Sequence, residues 1–285
     1  DYTVTVVDCL APHPGAPAVR ADGSGKFAKT VLDKPDAVRL VPRRYGRYGL
    51  PVARFESALK AAPEPDVILV GSGMTYWYPG VVEAIARLRA RYSGVPVVLG
   101  GVYATLCPGH AQMRSGADTV VTGPGVAPAL SFVDGTTGHD SAPERYADPC
   151  SWPAPAHDLV SRPFAAIVTS WGCPYRCTYC ASHRLAPRFV RREPGAVVDE
   201  IVGCVQRGIE DFAFYDDALL VGGGHRFTAI LKAIVARGLR VRFHTPNGLH
   251  ARAITSTLAQ LMRQAGMATV RLSLETINPV RQQST

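Results

Sequence analysis

The sequence predicts an α/β protein with two parallel-sheet domains, the first an open sheet and the second a partial (β/α) barrel. Three observations carry this. Short apolar runs closed by glycine alternate with helical spacing in the first half. A βα unit recurs about every 30 residues in the second half. Between the halves, residues 134–163 are rich in Gly, Ser, Pro and Asp, which is linker composition. The expected boundaries are a first domain over residues 1–140, a linker over 141–163 and a barrel over 164–285.

In the first half, Val4-Thr5-Val6-Val7 ends in Asp8, and Asp66-Val67-Ile68-Leu69-Val70 is closed by Gly71-Ser72-Gly73. Both runs read as buried parallel strands. Val81, Val82, Ile85, Ala86 and Leu88 fall at helical spacing and predict an amphipathic helix over 79–92. Val95 to Leu99 is the next strand, stopping at Gly100-Gly101. A helix near His110 to Ser115 leads to the strand Asp118 to Val121, closed by Gly123. Ligands of such sheets sit outside the carboxyl ends of the strands, which carry Ser72, Gly100 and Gly123. No G-x-G-x-x-G follows a strand, which argues against a nicotinamide or flavin dinucleotide. The stretch from Arg20 to Arg54 has little periodicity, and its basic, turn-rich segment Pro42 to Gly49 reads as a lid or substrate-facing insertion.

In the second half, the strand Phe164 to Ser170 runs into Trp171-Gly172-Cys173-Pro174-Tyr175-Arg176-Cys177-Thr178-Tyr179-Cys180. Helix and strand then alternate: a helix over 195–207, a strand Asp211 to Tyr215, a helix over 225–237, a strand Arg240 to His244, a helix over 253–264 and a strand Thr269 to Leu274. The strand ends carry Cys173, Asp216-Asp217, His244 with Asn247, and Glu275, on the side where (β/α) barrels keep their chemistry. The last strand alternates Val270, Leu272 and Leu274 with Arg271, Ser273 and Glu275, which implies a polar lumen.

Composition narrows the function. At 285 residues and 47% hydrophobic, the chain can bury a core in each domain. No apolar run approaches the ~20 residues of a membrane span, and no signal peptide is evident, so a cytoplasmic protein without membrane contact is expected. Seven cysteines, three of them within eight residues, suit reduced thiolates on a metal better than a disulfide framework. The net charge of +8 owes much to arginines, with a cluster at Arg184, Arg188, Arg191 and Arg192 that reads as a solvated surface or a site for an anion. The C-x3-C-x2-C loop has two readings. With His183 it supplies four donors, enough for zinc. Alternatively three cysteines hold a four-iron four-sulfur cluster, which normally takes four, so that one iron is left open. Zinc spacings come as two separated pairs, and this loop sits at a catalytic strand end, which favours the cluster.

Cys173, Cys177, Tyr179 and Cys180 match, position for position, the signature of radical S-adenosylmethionine enzymes. The first half is similar to the Rossmann-like, cobalamin-binding domain found at the front of many of them, through Asp66 to Thr75, Val97 to Thr105 and Asp118 to Gly125. The resemblance implies a TIM-like barrel in which Cys173, Cys177 and Cys180 ligate the cluster and its open iron chelates S-adenosylmethionine. An electron from the cluster then cleaves the sulfonium to give a 5′-deoxyadenosyl radical. It assigns Tyr179, Asp216, Asp217, Ser273 and Glu275 to S-adenosylmethionine, with no choice between the two aspartates, and Ser72, Met74, Gly100, Gly101 and Gly123 to cobalamin. Two departures stand out: Pro124 and Val126 replace acidic residues of the last turn, and no lower-ligand histidine for cobalt is identified, His13 reading as an ordinary loop residue. The family's first strand and later barrel strands are expected to lie outside this chain.

The implied activity is methyl transfer to an unactivated carbon or phosphorus of a small molecule. A flavodoxin or ferredoxin is expected as electron donor, and nucleic acid is not expected. Radical cyclisation or rearrangement is the alternative. A methylthiotransferase would need three cysteines in the front domain, where only Cys9 and Cys107 precede the linker. A zinc-stabilised nucleic-acid-binding module is the non-enzymatic alternative.

Overall fold

The computed structural model describes residues 2–18, 25–160 and 162–284. Residues 19–24, part of the stretch read as an insertion, lie outside the described residues. The chain divides into two compact units, Asp1–Arg162 and Pro163–Thr285, each with its own core.

The first unit opens with a short antiparallel hairpin, β1 (Lys29–Val31) and β2 (Gly46–Tyr48), followed by helix α1 (Val52–Ala61). Strand β3 (Ile68–Ser72), helix α2 (Tyr78–Arg91), strand β4 (Val97–Gly101), helices α3 (Val102–Leu106) and α4 (Pro108–Arg114), strand β5 (Thr119–Val120) and helix α5 (Val126–Thr137) complete it. The sheet order is β3-β4-β5, all parallel, with Ile68 opposite Val97 and Gly71 opposite Gly100. Val81, Ile85 and Leu88 recur at i, i+4 and i+7 on α2. Together with Phe55 and Leu59 of α1 they pack on Ile68, Val97 and Leu99. Burying each such side chain is worth about 1.5–3 kcal/mol relative to leaving it exposed.

One expectation fails in this unit, and two stretches gain detail. Val4 to Val7 is not a buried strand: no strand among the described residues pairs with it, and Val4 and Val6 are 59% and 45% exposed, with only Val7 packed on the core. The expected lid contains the β1–β2 hairpin, and Arg47 anchors it by pairing with Glu83 of α2. Glu83 also meets Arg87 at 3.0 Å, and Arg87 pairs with Glu56 of α1, so one charge network joins hairpin and both helices. Finally, α5 runs to Thr137, into the stretch read as linker-rich, and stops where Gly138 turns left-handed at φ 72°.

In the second unit, β6 (Phe164–Ile167) and β7 (Ser170–Trp171) precede the cysteine loop, with α6 (Ser182–Leu185) and β8 (Val190–Arg191) after it. Then follow α7 (Pro194–Gln206), β9 (Asp211–Phe214), α8 (His225–Ala236), β10 (Arg242–His244), α9 (Ser256–Gln264) and β11 (Met267–Thr269). The four-stranded sheet has the order β11-β10-β9-β6, all parallel, as right-handed βα repeats produce. Phe212, Phe214 and Phe243 point to one face and pack against Ile201 of α7, Phe227 and Ile234 of α8, and Met262 of α9. The alternate residues Asp211, Arg242 and His244 share the other face, which is accordingly polar.

The fourth strand is shorter and earlier than its alternation predicts. After Thr269 only Leu272 bridges, to Leu249, and Val270, Leu272 and Leu274 are exposed, so their shared face covers no core. Its neighbour supplies the reason. Strand β10 ends at His244, and beyond Thr245 the chain meets the run again at Leu249, whose amide bonds the Arg271 carbonyl at 2.9 Å and whose carbonyl accepts the Ser273 amide at 3.0 Å.

Candidate active site

The chain enters the cysteine loop under two constraints. Asp216, just beyond β9, accepts hydrogen bonds from the Thr169 amide (3.0 Å), the Thr169 hydroxyl (2.6 Å) and the Ser170 hydroxyl (2.7 Å). Gly172 then turns at φ 75°. A Cβ there would lie 2.6 Å from the Arg188 carbonyl oxygen and 3.1 Å from that of Ala186, so only glycine passes beneath the returning chain. Neither constraint was read from the sequence, although a Ser-x-Gly at a strand end was visible.

Cys173, Cys177 and Cys180 follow, all partly buried thiols outside any disulfide. The Cys180 amide closes a turn on the Cys177 carbonyl at 3.0 Å, and the Cys180 sulfur lies 3.2 Å from the Ser182 hydroxyl. Burial pushes the Cys173 thiol up, and the nearby charges of Asp217, Cys180 and Cys177 add to that shift. Glu275, hydrogen-bonding the phenol, raises the Tyr179 pKa well above its ordinary value, with a contribution from Cys177. His250 meets the Tyr175 ring edge-on at 5.1 Å.

Glu275 thus reaches Tyr179, and Asp217 acts electrostatically on Cys173. The remaining polar residues of the strand ends are engaged within the fold. Asp216 is 3% exposed and its carboxylate is spent on Thr169 and Ser170, which corrects its assignment to S-adenosylmethionine. Asp217 is exposed and carries the free position of the pair. Ser273 packs on Gly248, where a Cβ would approach its hydroxyl to 2.1 Å. His244 is held by Asp211 at 3.1 Å and Thr269 at 2.9 Å, so both ring nitrogens are engaged. Asn247 bridges the Tyr215 and Asp216 carbonyls, each at 3.1 Å, and thereby fixes the turn that presents Asp217.

Among the described residues no three His, Cys, Asp or Glu side chains close on a single ion, the three loop thiols and His183 included. A four-iron cube takes each cysteine on a separate iron. Cys173, Cys177 and Cys180, on one loop and outside any disulfide, are the thiols that could serve it.

In the first unit, Ser72 is 5% exposed. Its hydroxyl donates to the Gly100 carbonyl and accepts the Ala104 amide at 3.4 Å, so its one donor hydrogen is spent within the fold. Gly101 is likewise required by the fold, at φ 93° and with a would-be Cβ 2.3 Å from the Ser72 carbonyl oxygen. Gly71 and Gly100 differ. They are paired across β3 and β4, neither has positive φ, and a Cβ on Gly71 would meet nothing within 4 Å, while one on Gly100 would meet only the Val121 carbonyl oxygen at 3.9 Å. The fold does not need these two to be glycine. They present bare backbone at the carboxyl ends of β3 and β4, where Met74 is exposed and a Cβ on Gly123 would also meet nothing within 4 Å.

Comparison with known proteins accords with both units. Residues 167–285 match the radical SAM superfamily. An uncharacterised methyltransferase of Pyrococcus horikoshii is 23% identical over 89% of this chain and 67% of its own length. The hopanoid C-2 methylase of Rhodopseudomonas palustris is 25% identical over 67% of this chain and 38% of its own. Two structures of the radical S-adenosylmethionine methyltransferase TsrM from Kitasatospora setae share the fold over 79% of this chain. One, with tryptophan and an S-adenosylmethionine analogue bound, has a TM-score of 0.61 at 22% identity. The other, with cobalamin and a four-iron four-sulfur cluster bound, has 0.63 at 19%. The chain spans 52% and 53% of those two proteins' length.

Proposed function

We propose that this chain is the cobalamin- and cluster-binding part of a radical S-adenosylmethionine methyltransferase acting on a small molecule. The observation that carries the reading is the convergence of three free thiols with Asp217 and Glu275 at the carboxyl ends of the barrel strands. Cys173, Cys177 and Cys180 would hold a cluster, which would supply the electron that opens S-adenosylmethionine, and cobalamin, when bound, would supply the methyl group. Asp217 meets the methionine ammonium as a charged acceptor. Glu275 orients Tyr179 and faces the ribose hydroxyls. Asp216, Asn247 and Gly172 hold these groups in place without touching the ligand. In the first unit Gly71, Gly100 and Gly123 give cobalamin access to backbone, while Ser72 and Gly101 lock β3 to β4 beneath it. Seven thiols without a disulfide suit a reducing, cytoplasmic setting, and among the described residues no helix is long and apolar enough to cross a membrane.

Anaerobic reconstitution tests this. About four iron and four sulfide per chain are expected, with loss of the cluster in Cys177→Ala and an unaltered first unit. Stoichiometric zinc without sulfide would sink the reading. With the natural full-length protein, 5′-deoxyadenosine and S-adenosylhomocysteine appearing together indicate methyl transfer, whereas 5′-deoxyadenosine alone indicates cyclisation or rearrangement.

A further inference from the structure

The hairpin of the first unit carries an arm that the site above does not use. Its strands, Lys29–Val31 and Gly46–Tyr48, are joined by residues 32–45, which turn through a short 3-10 helix at Asp36–Val38. Backbone bonds fix that turn. The Leu32 amide donates to the Tyr45 carbonyl at 3.2 Å, the Val41 amide to the Val38 carbonyl at 3.1 Å and the Arg43 amide to the Val41 carbonyl at 2.7 Å. Two lysines tie it further, Lys34 to the Val41 carbonyl at 2.8 Å and Lys29 to the Arg44 carbonyl at 2.9 Å. Arg47 anchors the base of the arm on Glu83 of α2. The tip therefore has a shape held by the chain itself.

That shape presents an apolar pair flanked by cations. Leu40 is 93% exposed and Val41 46%. A lone exposed leucine needs no explanation. This one stands beside a second apolar side chain within Arg39-Leu40-Val41-Pro42-Arg43-Arg44, whose three arginines are exposed and form no ion pair among the described residues. Asp33 and Asp36, the nearest acids before the tip, do not pair with them. From Ala37 to Phe55 the chain has five arginines and no aspartate or glutamate. A surface serving solubility alone intersperses both signs and keeps large apolar side chains few. Here positive potential and exposed apolar surface coincide at one protruding turn.

We propose that Arg39, Leu40, Val41, Arg43 and Arg44 dock this chain on the surface of an anionic lipid bilayer. The apolar pair enters the acyl boundary, while the guanidinium groups stay at the level of the phosphates and grip them through paired N–H donors. Each cation at such a surface raises affinity roughly fivefold. Lying on a bilayer needs no spanning segment, so the lack of a long apolar run, the ground for expecting no membrane contact, does not bear on it. A specific protein interface takes about 20–30 residues a side, and this tip offers the six from Arg39 to Arg44. Single-stranded nucleic acid needs aromatic faces on which to stack. The tip has none, and Tyr48 beyond it lies under the Lys29 ammonium at 5.3 Å.

Sedimentation of the chain with lipid vesicles is the test, and it needs neither cluster nor cobalamin. Phosphatidylcholine vesicles containing about one third phosphatidylglycerol should bind it at least about tenfold more tightly than pure phosphatidylcholine, a comparison that needs no variant. Raising salt to about 0.5 M should weaken that binding about tenfold. Arg43→Glu/Arg44→Glu should lower affinity at least about thirtyfold. Leu40→Ser/Val41→Ser, which leaves every charge in place, should lower it about tenfold. In Leu40→Trp, brominated lipid should quench a tryptophan emission that it leaves untouched in the unaltered chain. Equal binding to both kinds of vesicle, or binding to neither, would overturn the proposal. So would anionic-vesicle binding that the serine variant retains and that brings no quenching at position 40, since the arginines would then act without insertion. Retention of single-stranded RNA, abolished by Arg43→Glu/Arg44→Glu in the absence of vesicle binding, would overturn it in favour of nucleic acid.

Discussion

Alanine at Asp216 strands three donors, the Thr169 amide and hydroxyl and the Ser170 hydroxyl, at the entry to the cysteine loop. An expected loss of about 3 kcal/mol follows from leaving such groups unpaired, measurable by denaturant unfolding of the second unit. Alanine at exposed Asp217 should change stability by no more than about 0.5 kcal/mol, yet weaken S-adenosylmethionine binding about tenfold in a calorimetric titration. The pair is adjacent in sequence, and no pattern in Tyr215-Asp216-Asp217 tells which carboxylate turns inward. That is decided by hydroxyls on another strand. Asp211 offers a pH prediction. Its hydrogen bond to Arg242, followed by that to His244, holds its carboxyl below the ordinary aspartate value. Because the folded value is the lower one, the stabilisation is complete above the unfolded value of about 3.9 and is lost as pH falls through the folded value. Acid unfolding below about pH 4 should therefore be shallower in Asp211→Asn than in the unaltered protein.

At the scale of the element, β3 and β4 separate glycines the fold requires from glycines it does not. Gly101→Ala places a Cβ against the Ser72 carbonyl in a left-handed conformation and should cost about 2 kcal/mol or more in thermal or denaturant unfolding. Gly71→Ala has open space and ordinary φ, so its fold should be nearly unaffected while hydroxocobalamin affinity, followed by absorbance, drops. If Gly71→Ala bound cobalamin as the unaltered chain does, the bare patch would not be its contact surface. Strands with continuous apolar runs and helices with clear periodicity, such as β4 and α2, were legible because burial alone writes those patterns. The β1–β2 hairpin was not, since its three-residue strands are held by Arg47 and Glu83, 36 positions apart. The run Val270 to Leu274 misled for the opposite reason: its alternation is real, but the neighbouring strand β10 ends at His244 and leaves it the isolated bridge of Leu272 to Leu249.

Across the whole molecule, the two cores share no buried residue. Iron chelation is therefore expected to raise hydrogen exchange over residues 173–192 while leaving the amides of Val97 to Leu99 protected, a contrast readable by mass spectrometry. Exchange rising in both places would show that the cluster supports the first unit as well. The cysteine triplet was legible at this scale because its spacing is local. The partners that make it a site, Asp217 and Glu275, lie 37 and 95 positions beyond Cys180, and only the order of the parallel strands brings them together.

The Asn247 clamp carries a liability of another kind. Asn-Gly is the dipeptide whose side-chain amide is most readily lost on storage, because glycine leaves the following backbone nitrogen free to attack it. In this chain Gly248 cannot be exchanged for a bulkier residue without meeting Ser273. Ageing to aspartate would replace an amide donor by a carboxylate facing the Tyr215 and Asp216 carbonyl oxygens, turning two attractions into repulsions beside Asp217. The shelf life of a preparation, read as a one-dalton gain on the peptide containing Asn247, should therefore track its loss of S-adenosylmethionine binding while its iron content stays constant.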